Sequence, residues 1–328
     1  MKIKMFTHTD LDGVGCAILA YLAFGRENVD VEYCDYSNVN DKVEDFFYNE
    51  KWEEYKHVFI TDISINNKLA GAIDKKCDEE QWCLFDHHNT AIYLNTYDWC
   101  QVLDIAPITH IKTCGTELFY KYLQVVLDRF QNMNTWAQEN IKNFVETVRD
   151  WDTWRWKELG SDGFVSKLVN DLFNIYGREE FIDWVIWKQV PIKVQSMRKF
   201  PSFTITDWAL LKQRQKDIDR YVEEKIKQLV QRVDEAGRTY GIIFAERYFS
   251  DLGNRLCEMN PELAYILMID ISNGAVSYRT IRDDIDLGGE IAHAYGGGGH
   301  PKAAGSTFDK ERIQRTVYRL IFSEDDEL

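Results

Sequence analysis

The feature that most constrains the fold is the alternation of short apolar segments with helix-like segments over residues 1–85. The apolar segments are four to six residues long and end at polar residues, which is typical of buried parallel strands. Strands are predicted over residues 1–6, 29–34, 58–61 and 82–85, and helices over residues 13–24 and 42–48. Repeated strand–helix units predict an α/β fold with a doubly wound parallel sheet, whose functional residues lie at the carboxyl ends of the strands.

The remainder of the chain predicts long helices followed by a second set of strands. Residues 115–148 and 164–188 are rich in Leu, Phe and Trp and are predicted to be helical. An amphipathic helix is predicted over residues 213–236, because apolar residues recur every three or four positions and Gly237 follows as a stop. Strands are predicted over residues 240–245, 264–271 and 275–280, and a helix over residues 287–295. The domain boundary is therefore expected between residues 190 and 240.

Length and charge limit the classes of function. The chain has 328 residues, enough for about two domains, and a formal net charge of -15. Such acidity argues against a protein that coats long nucleic acid with a uniform basic face, but it leaves room for a basic pocket. No apolar run approaches the roughly 18 residues of a membrane span. The seven cysteines are odd in number and contain no CxxC pair, which predicts reduced thiols and a cytoplasmic location.

The first candidate motif, HTDLDG, follows the first predicted strand and contains His8, Asp10 and Asp12. Two carboxylates two residues apart in a strand-to-helix turn can face one point above the sheet edge, and Gly13 allows the backbone to turn there. The alternative is that Asp12 only caps the following helix. Asp62 also follows an apolar strand, where an isolated Asp is more often a turn or capping residue.

Two further motifs add imidazoles and another carboxylate. Asp86, His87 and His88 follow the fourth predicted strand, and neutral imidazole is the commonest metal ligand. Residues 149–156 hold carboxylates and arginines among tryptophans, which alone would indicate a polar contact within an aromatic core. Together the motifs form an oxygen-rich ligand set that suits Mn²⁺ and related ions. A carboxylate that bridges two metals would support in-line displacement at phosphorus, so the sequence predicts phosphoester hydrolysis.

The fifth motif, GGGGHPKAAG, lies near the C-terminus and includes Gly298, Gly299, His300 and Lys302. Consecutive glycines can expose backbone N–H groups that cradle an anion, and the His and Lys side chains add donors. Upstream, the guanidinium of Arg279 in the segment SYRT could grip a phosphate with two hydrogen bonds. The alternative for a glycine run is a flexible loop without function.

Taken in order, HTDLDG, TDIS, DHH, the Asp-containing fourth motif, SYRT and GGGGHPKAAG resemble the motifs of the DHH phosphoesterase superfamily. The last two are similar to its DHHA1 substrate-binding domain. The resemblance covers most of the chain and implies a DHH catalytic domain over residues 1–190, a helical linker over residues 191–239 and a smaller mixed α/β DHHA1 domain over residues 240–328. It also implies an active site in the cleft between the two domains.

The resemblance implies two Mn²⁺ ions per active site, with Mg²⁺ or Co²⁺ as alternatives. The expected metal ligands are His8, Asp10, Asp12, Asp62, His87 and Asp152. Asp62 is expected to bridge the metals. The expected catalytic residues are His88, near the phosphate, and Asp86, as a supporting residue or weak ligand. The expected substrate-binding residues are Arg279, Gly298, Gly299, His300 and Lys302.

Two positions depart from the superfamily pattern. Many relatives carry the first-motif His where this chain has Phe6, so either His8 serves instead or the first metal is ligated differently. In the fourth motif, Asp152 matches the superfamily sequence best, and Asp150 is the alternative ligand.

The leading functional prediction is a Mn²⁺-dependent phosphodiesterase that hydrolyses short RNA or DNA oligonucleotides or dinucleotides with a metal-activated water. The chain resembles the compact oligoribonuclease (nanoRNase) members, which are related to RecJ. One alternative is a phosphomonoesterase or exopolyphosphatase acting on 3′-phosphoadenosine 5′-phosphate or polyphosphate. Another is a catalytically silent nucleotide-binding module. No membrane partner is expected, and a homodimer is compatible with the resemblance.

Overall fold

The computed structural model describes residues 2–76, 81–127, 133–161, 163–189 and 200–322. The chain divides into two compact units, Met1–Leu211 and Lys212–Leu328. The strands of the first unit are β1 (Ile3–His8), β2 (Val29–Cys34), β3 (His57–Thr61), β4 (Trp82–Asp86) and β5 (Cys100–Val102). They form one sheet in the order β2-β1-β3-β4-β5, with every neighbouring pair parallel. The predicted parallel sheet is confirmed.

Helices cover both faces of this sheet because side chains alternate along each strand. The helices of the first unit are α1 (Leu11–Phe24), α2 (Val39–Tyr48), α3 (Asn67–Lys76), α4 (Gly115–Val126), α5 (Thr135–Asp152), α6 (Arg155–Glu158) and α7 (Phe164–Asp183). Met5 and Phe59 pack in the core beneath α1, α4, α5 and α7. Phe6 and Ile60, their neighbours in sequence, pack in a second core beneath α2 and α3. The sheet is therefore doubly wound.

The second unit contains a mixed sheet. Helix α8 (Ile205–Lys225) leads into it from the first unit. The elements that follow are β6 (Val230–Val233), β7 (Thr239–Phe244), α9 (Phe249–Met259), β8 (Ile266–Asp270), β9 (Ala275–Arg279), β10 (Gly298–His300), β11 (Ala303–Thr307) and α10 (Lys310–Phe322). The strand order is β10-β11-β9-β8-β7-β6, in which β7 and β8 are parallel and the other neighbours antiparallel. The predicted smaller mixed α/β fold is confirmed.

The helix predicted over residues 213–236 was wrong at its C-terminal end. Helix α8 ends at Lys225, and Val230–Val233 forms strand β6, which pairs with β7 across a tight turn. Gly237, interpreted from the sequence as a helix stop, has a φ of 80° in this turn and donates its N–H to the carbonyl of Asp234. Pairing with β7, a tertiary contact, overrides the helical spacing of residues 230–233.

Other predicted elements differ in detail. Within the described residues of the helix predicted over 115–148, α4 ends at Val126 and α5 begins at Thr135 behind the capping side chain of Asn134. The helix predicted over residues 287–295 is a π-helical turn followed by a 3-10 turn. The domain limits at residues 190 and 239 stay predictions.

Two composition-based expectations concern cysteines and membrane spans. The six cysteines among the described residues form no disulfide with one another and are buried, and Cys77 lies outside that part of the chain. Among the described residues, no helix combines the length and the apolarity needed to cross a membrane.

Candidate metal centre

The carboxyl ends of β1, β3 and β4 bring the first three motifs together. Strand β1 ends at His8, β3 ends one residue before Asp62, and β4 ends at Asp86. The strands are adjacent and in register, so these three ends lie side by side at one edge of the sheet. The expectation that the motifs converge at strand ends matches the described structure.

The first group of side chains surrounds His8. Its Nδ1 lies 2.9 Å from Asp10 Oδ2 and 3.7 Å from Asp62 Oδ2. Asp10 is the N-cap of α1, where its Oδ1 accepts the N–H of Gly13 at 3.1 Å, so its second oxygen can face the imidazole. Phe6, where many superfamily members carry the motif His, is fully buried in the core. His8 is therefore the first-motif imidazole that lies beside the carboxylates.

The second group surrounds His87. Its Nε2 lies 3.4 Å from Asp62 Oδ1, 3.4 Å from Asp152 Oδ2 and 3.8 Å from Asp12 Oδ2. Asp62 thus faces both imidazoles, with one oxygen towards His8 and the other towards His87. This position between the two groups is what a carboxylate shared by two cations requires.

Asp12 is fixed by the N-terminus of α4 and not by its own helix. Its Oδ2 accepts the N–H of Gly115 at 2.6 Å, and its Oδ1 accepts the N–H of Thr116 at 2.8 Å. A helix N-terminus favours a negative charge and has N–H groups without partners in the helix, so α4 orients this carboxylate. The alternative that Asp12 caps the first helix was wrong, because Asp10 does so.

The fourth motif places two aspartates in different surroundings. Asp152 is the last residue of α5 and belongs to the group around His87. Asp150 Oδ1 instead accepts hydrogen bonds from Arg149 Nη2 at 3.0 Å and from Arg155 Nη1 at 2.9 Å. The geometry agrees with the choice of Asp152 over Asp150, while its role as a ligand stays a prediction.

Asp86 orients His88. Its Oδ1 lies 2.7 Å from His88 Nδ1, and its Oδ2 accepts the hydroxyl of Ser64 at 2.5 Å. The other ring nitrogen of His88, Nε2, lies 3.0 Å from the hydroxyl of Tyr36. Ser64 lies in the TDIS motif but was assigned no role, and Tyr36 was not among the candidate residues. For Tyr36 the sequence offered one hint, which is that a polar residue follows β2, another strand of the same sheet.

Burial and mutual repulsion shape the charges of these carboxylates. Burial, followed by the charges of Asp12, Asp10 and Asp152, raises the pKa of Asp62 well above its ordinary value. Burial raises the pKa of Asp152 to about 7, although His87 opposes the shift. Burial alone would also raise the pKa of Asp10, but the charge and hydrogen bond of His8 hold it well below its ordinary value. A cation bound among these carboxyl groups would therefore favour their ionised forms.

The donor atoms fit divalent metal ions. Among the residues that the structure describes, three groups have ligand atoms within 4.8 Å of one another: Asp62, Asp86, His87 and His88; His8, Asp10 and Asp62; and Asp12, His87 and Asp152. Within the described part of the chain, the buried Oδ2 atoms of Asp62 and Asp152 accept no hydrogen bond. Buried carboxylate oxygens rarely lack partners, and oxygen with imidazole nitrogen is a ligand set for Mn²⁺.

In the second unit, the predicted substrate-binding cations have partners within the protein. Arg279 is at the end of β9 and donates through Nη1 to the carbonyl of Tyr278 at 2.8 Å and through Nη2 to Ser250 Oγ at 3.2 Å. Lys302 Nζ donates to Asp283 Oδ1 at 2.7 Å. Their role in substrate binding stays a prediction.

Part of the glycine run is engaged in contacts within the second unit. Residues Gly298–His300 form strand β10, and Gly299, with a φ of 138°, packs so closely that a Cβ would lie 2.7 Å from the Cα of Ala304. The N–H groups of Gly296 and Gly297 donate to the carbonyls of residues 293 and 292, so neither is available to an anion. Gly298 and His300 lie on the short strand, and their contacts with substrate stay predictions.

Comparisons with known proteins identify a family and relatives to which this chain is similar. The sequence model described as the N-terminal domain of the DHH family matches residues 2–147. Over 324 residues the chain is 34% identical to the oligoribonuclease NrnB of Bacillus subtilis (strain 168), covering 98% of this chain and 75% of that protein.

Two solved structures are similar in fold. One is the DHH domain of a protein described as a member of a family of ribosomal proteins, with a TM-score of 0.62, 12% identity and coverage of 98% of this chain and 85% of that chain. The other is RecJ of Thermus thermophilus in complex with Mn²⁺, with a TM-score of 0.56, 12% identity and coverage of 97% of this chain and 51% of that chain. At these identities the likeness concerns the fold alone.

Proposed function

The chain belongs to the DHH family and is a metal-dependent phosphoesterase, and from that premise we propose that it is a Mn²⁺-dependent phosphodiesterase acting on short oligonucleotides or dinucleotides. The observation that carries the proposal is the position of Asp62 between the groups around His8 and His87. The similarity to an oligoribonuclease and to a RecJ structure solved with Mn²⁺ supports it.

We assign two metal sites to the two groups. His8 and Asp10 would hold one ion, Asp12, His87 and Asp152 would hold the other, and Asp62 would contact both. When bound, such a metal pair supplies an activated water and stabilises charge on the oxygens of an in-line displacement at phosphorus. The two N–H groups of α4 keep the Asp12 carboxylate in a single orientation for this task.

His88 is the residue proposed to stabilise the phosphate. Its side chain is 20% exposed, whereas that of Asp86 is 1% exposed, so the imidazole can reach a substrate and the carboxylate cannot. Burial alone would lower the pKa of His88, but the hydrogen bond and charge of Asp86 raise it to about 9. The imidazole is therefore a charged donor at neutral pH, which suits contact with a phosphate oxygen.

The charge distribution favours small substrates. The net charge of -15 disfavours long polyanions, while Arg279, His300 and Lys302 are the local donors proposed to hold a short one. The six buried cysteines of the described residues, which form no disulfide with one another, support the proposed cytoplasmic location.

A substrate panel tests the proposed function. Purified protein with Mn²⁺ is offered pApA, a five-nucleotide RNA, 3′-phosphoadenosine 5′-phosphate and polyphosphate, and hydrolysis of the first two is expected. The variant Asp62→Asn, purified in parallel, controls for contaminating nucleases. Turnover of only 3′-phosphoadenosine 5′-phosphate or polyphosphate would support the alternative phosphatase activities. Nucleotide binding without any turnover would support a silent binding module.

Replacing Arg279 by Gln should raise the KM for pApA about 10- to 100-fold with kcat changed little, because a hydrogen bond to a charged group contributes roughly 1.5–3 kcal/mol. The matched control is Arg282→Gln, since the Arg282 guanidinium is already bound to Asp284 on the surface. Steady-state kinetics, with melting curves for both variants, make the measurement. Equal KM values in the two variants would show that Arg279 does not bind the substrate.

A further inference from the structure

The turn after β2 places Tyr36 against the candidate site. Its hydroxyl lies 3.0 Å from His88 Nε2, and its ring centre lies 5.3 Å from that of His8 and 5.9 Å from that of His88. The residue as a whole is 59% exposed, so one side of the ring faces solvent while the hydroxyl contacts the imidazole. Tyr36 therefore contacts one imidazole from each of two motifs.

The turn that carries Tyr36 is held by its own hydrogen bonds. Asp35 Oδ1 accepts the N–H of Ser37 at 2.8 Å, and Asp35 Oδ2 accepts the side-chain amide of Asn38 at 2.9 Å. In return, Asn38 Oδ1 accepts the N–H of Asp35 at 3.1 Å. Side-chain bonds of this kind fix a turn in one conformation. The position of Tyr36 is therefore specified by residues on both sides of it.

We propose, resting on the proposed function, that Tyr36 is a positioning residue for His88. Asp86 binds Nδ1 of the imidazole, so a phosphate oxygen would share the remaining Nε2–H with the Tyr36 hydroxyl in a three-centre hydrogen bond. The Tyr36 hydroxyl contacts Nε2, so the ring is held at both of its nitrogens. An imidazole held at Nδ1 alone can tilt about its side-chain bonds, and small losses of alignment at a reacting group lower the rate.

The test compares two Tyr→Phe substitutions on neighbouring residues. Tyr36→Phe keeps the ring and removes the hydroxyl. Tyr33→Phe, three residues earlier, removes a buried hydroxyl that has no hydrogen-bond partner among the described residues. We expect Tyr36→Phe to lower kcat for pApA about 10-fold, with KM within about 3-fold and an unchanged melting temperature. Tyr33→Phe should keep the wild-type kcat.

A spectroscopic measurement separates this proposal from the proposed function. In metal-free protein labelled with ¹⁵N-histidine, the ring resonances of His88 are assigned with His88→Gln. Tyr36→Phe should shift the His88 Nε2 resonance, and Tyr33→Phe should leave it in place. A wild-type or higher kcat in Tyr36→Phe overturns the proposal, as does an unchanged Nε2 resonance. If the wild-type protein hydrolyses nothing on the panel, the proposed function fails, and the resonance still tests the contact.

Discussion

Asp62→Asn is expected to lower kcat for pApA by about 10³-fold or more while leaving the metal-free protein as stable as the wild type or more so. The loss of activity follows because Asp62 is proposed to contact both metals, and metal ions supply several kcal/mol of transition-state stabilisation. The stability result follows because Asp62 is buried beside Asp10, Asp12 and Asp152. In the metal-free protein these surroundings disfavour the ionised form of Asp62, and a neutral Asn side chain does not bear that cost.

The measurement combines kinetics with melting curves recorded with and without Mn²⁺. A cation that binds the folded state alone stabilises the wild type by about 2.7 kcal/mol at 100 times its Kd. That stabilisation corresponds to a rise in melting temperature of roughly 5–10 °C for a unit of this size. The Asp62→Asn variant should lose most of this rise. Asp74→Asn, an exposed position on α3, is the control and should behave as the wild type. An Asp62→Asn variant that keeps the wild-type kcat and the wild-type rise in melting temperature with Mn²⁺ would contradict the assignment of Asp62 to the metal sites.

The second prediction with a large expected effect distinguishes the roles of two aspartates that are two residues apart on α5. Asp152→Asn should lower kcat by about 10²-fold or more and reduce the stabilisation by Mn²⁺, because Asp152 Oδ2 lies beside His87. Asp150→Asn should retain the Mn²⁺ response. It should lower the metal-free stability by about 1–3 kcal/mol, because Arg149 and Arg155 lose a largely buried partner.

The same kinetic and melting measurements test this pair, and each variant serves as the control for the other. The comparison is informative because the two substitutions are chemically identical and act within the last turn of one helix. If Asp150→Asn abolished the Mn²⁺ response while Asp152→Asn retained it, the assignment of the fourth motif would be reversed.

The sequence predicted the features that depend on local pattern. Short apolar runs ending in polar residues predicted the parallel strands, and parallel topology alone brings His8, Asp62 and Asp86 to one edge. The convergence of the motifs could therefore be predicted without any side-chain geometry. The sequence favoured Asp152 over Asp150 only through its match to the superfamily motif, because the geometric distinction depends on how α5 ends and on which residue the arginines contact.

The features that the sequence did not predict depend on contacts between distant residues. Asp12 is held by Gly115 and Thr116, more than one hundred positions away, and no local pattern links them. Tyr36 contacts His88 across 52 positions, and an exposed tyrosine in a turn carries no distinguishing signal. Residues 230–233 have helical spacing and become a strand because β7 pairs with them. Tertiary contacts override local propensity at such positions.

The most direct test of the central claim is to locate Mn²⁺ in crystals of the wild-type protein by anomalous diffraction. The account predicts two Mn²⁺ ions in the first unit, one contacting His8 and Asp10, the other contacting Asp12, His87 and Asp152, with Asp62 contacting both. A single ion, or ions bound without Asp62, would contradict it.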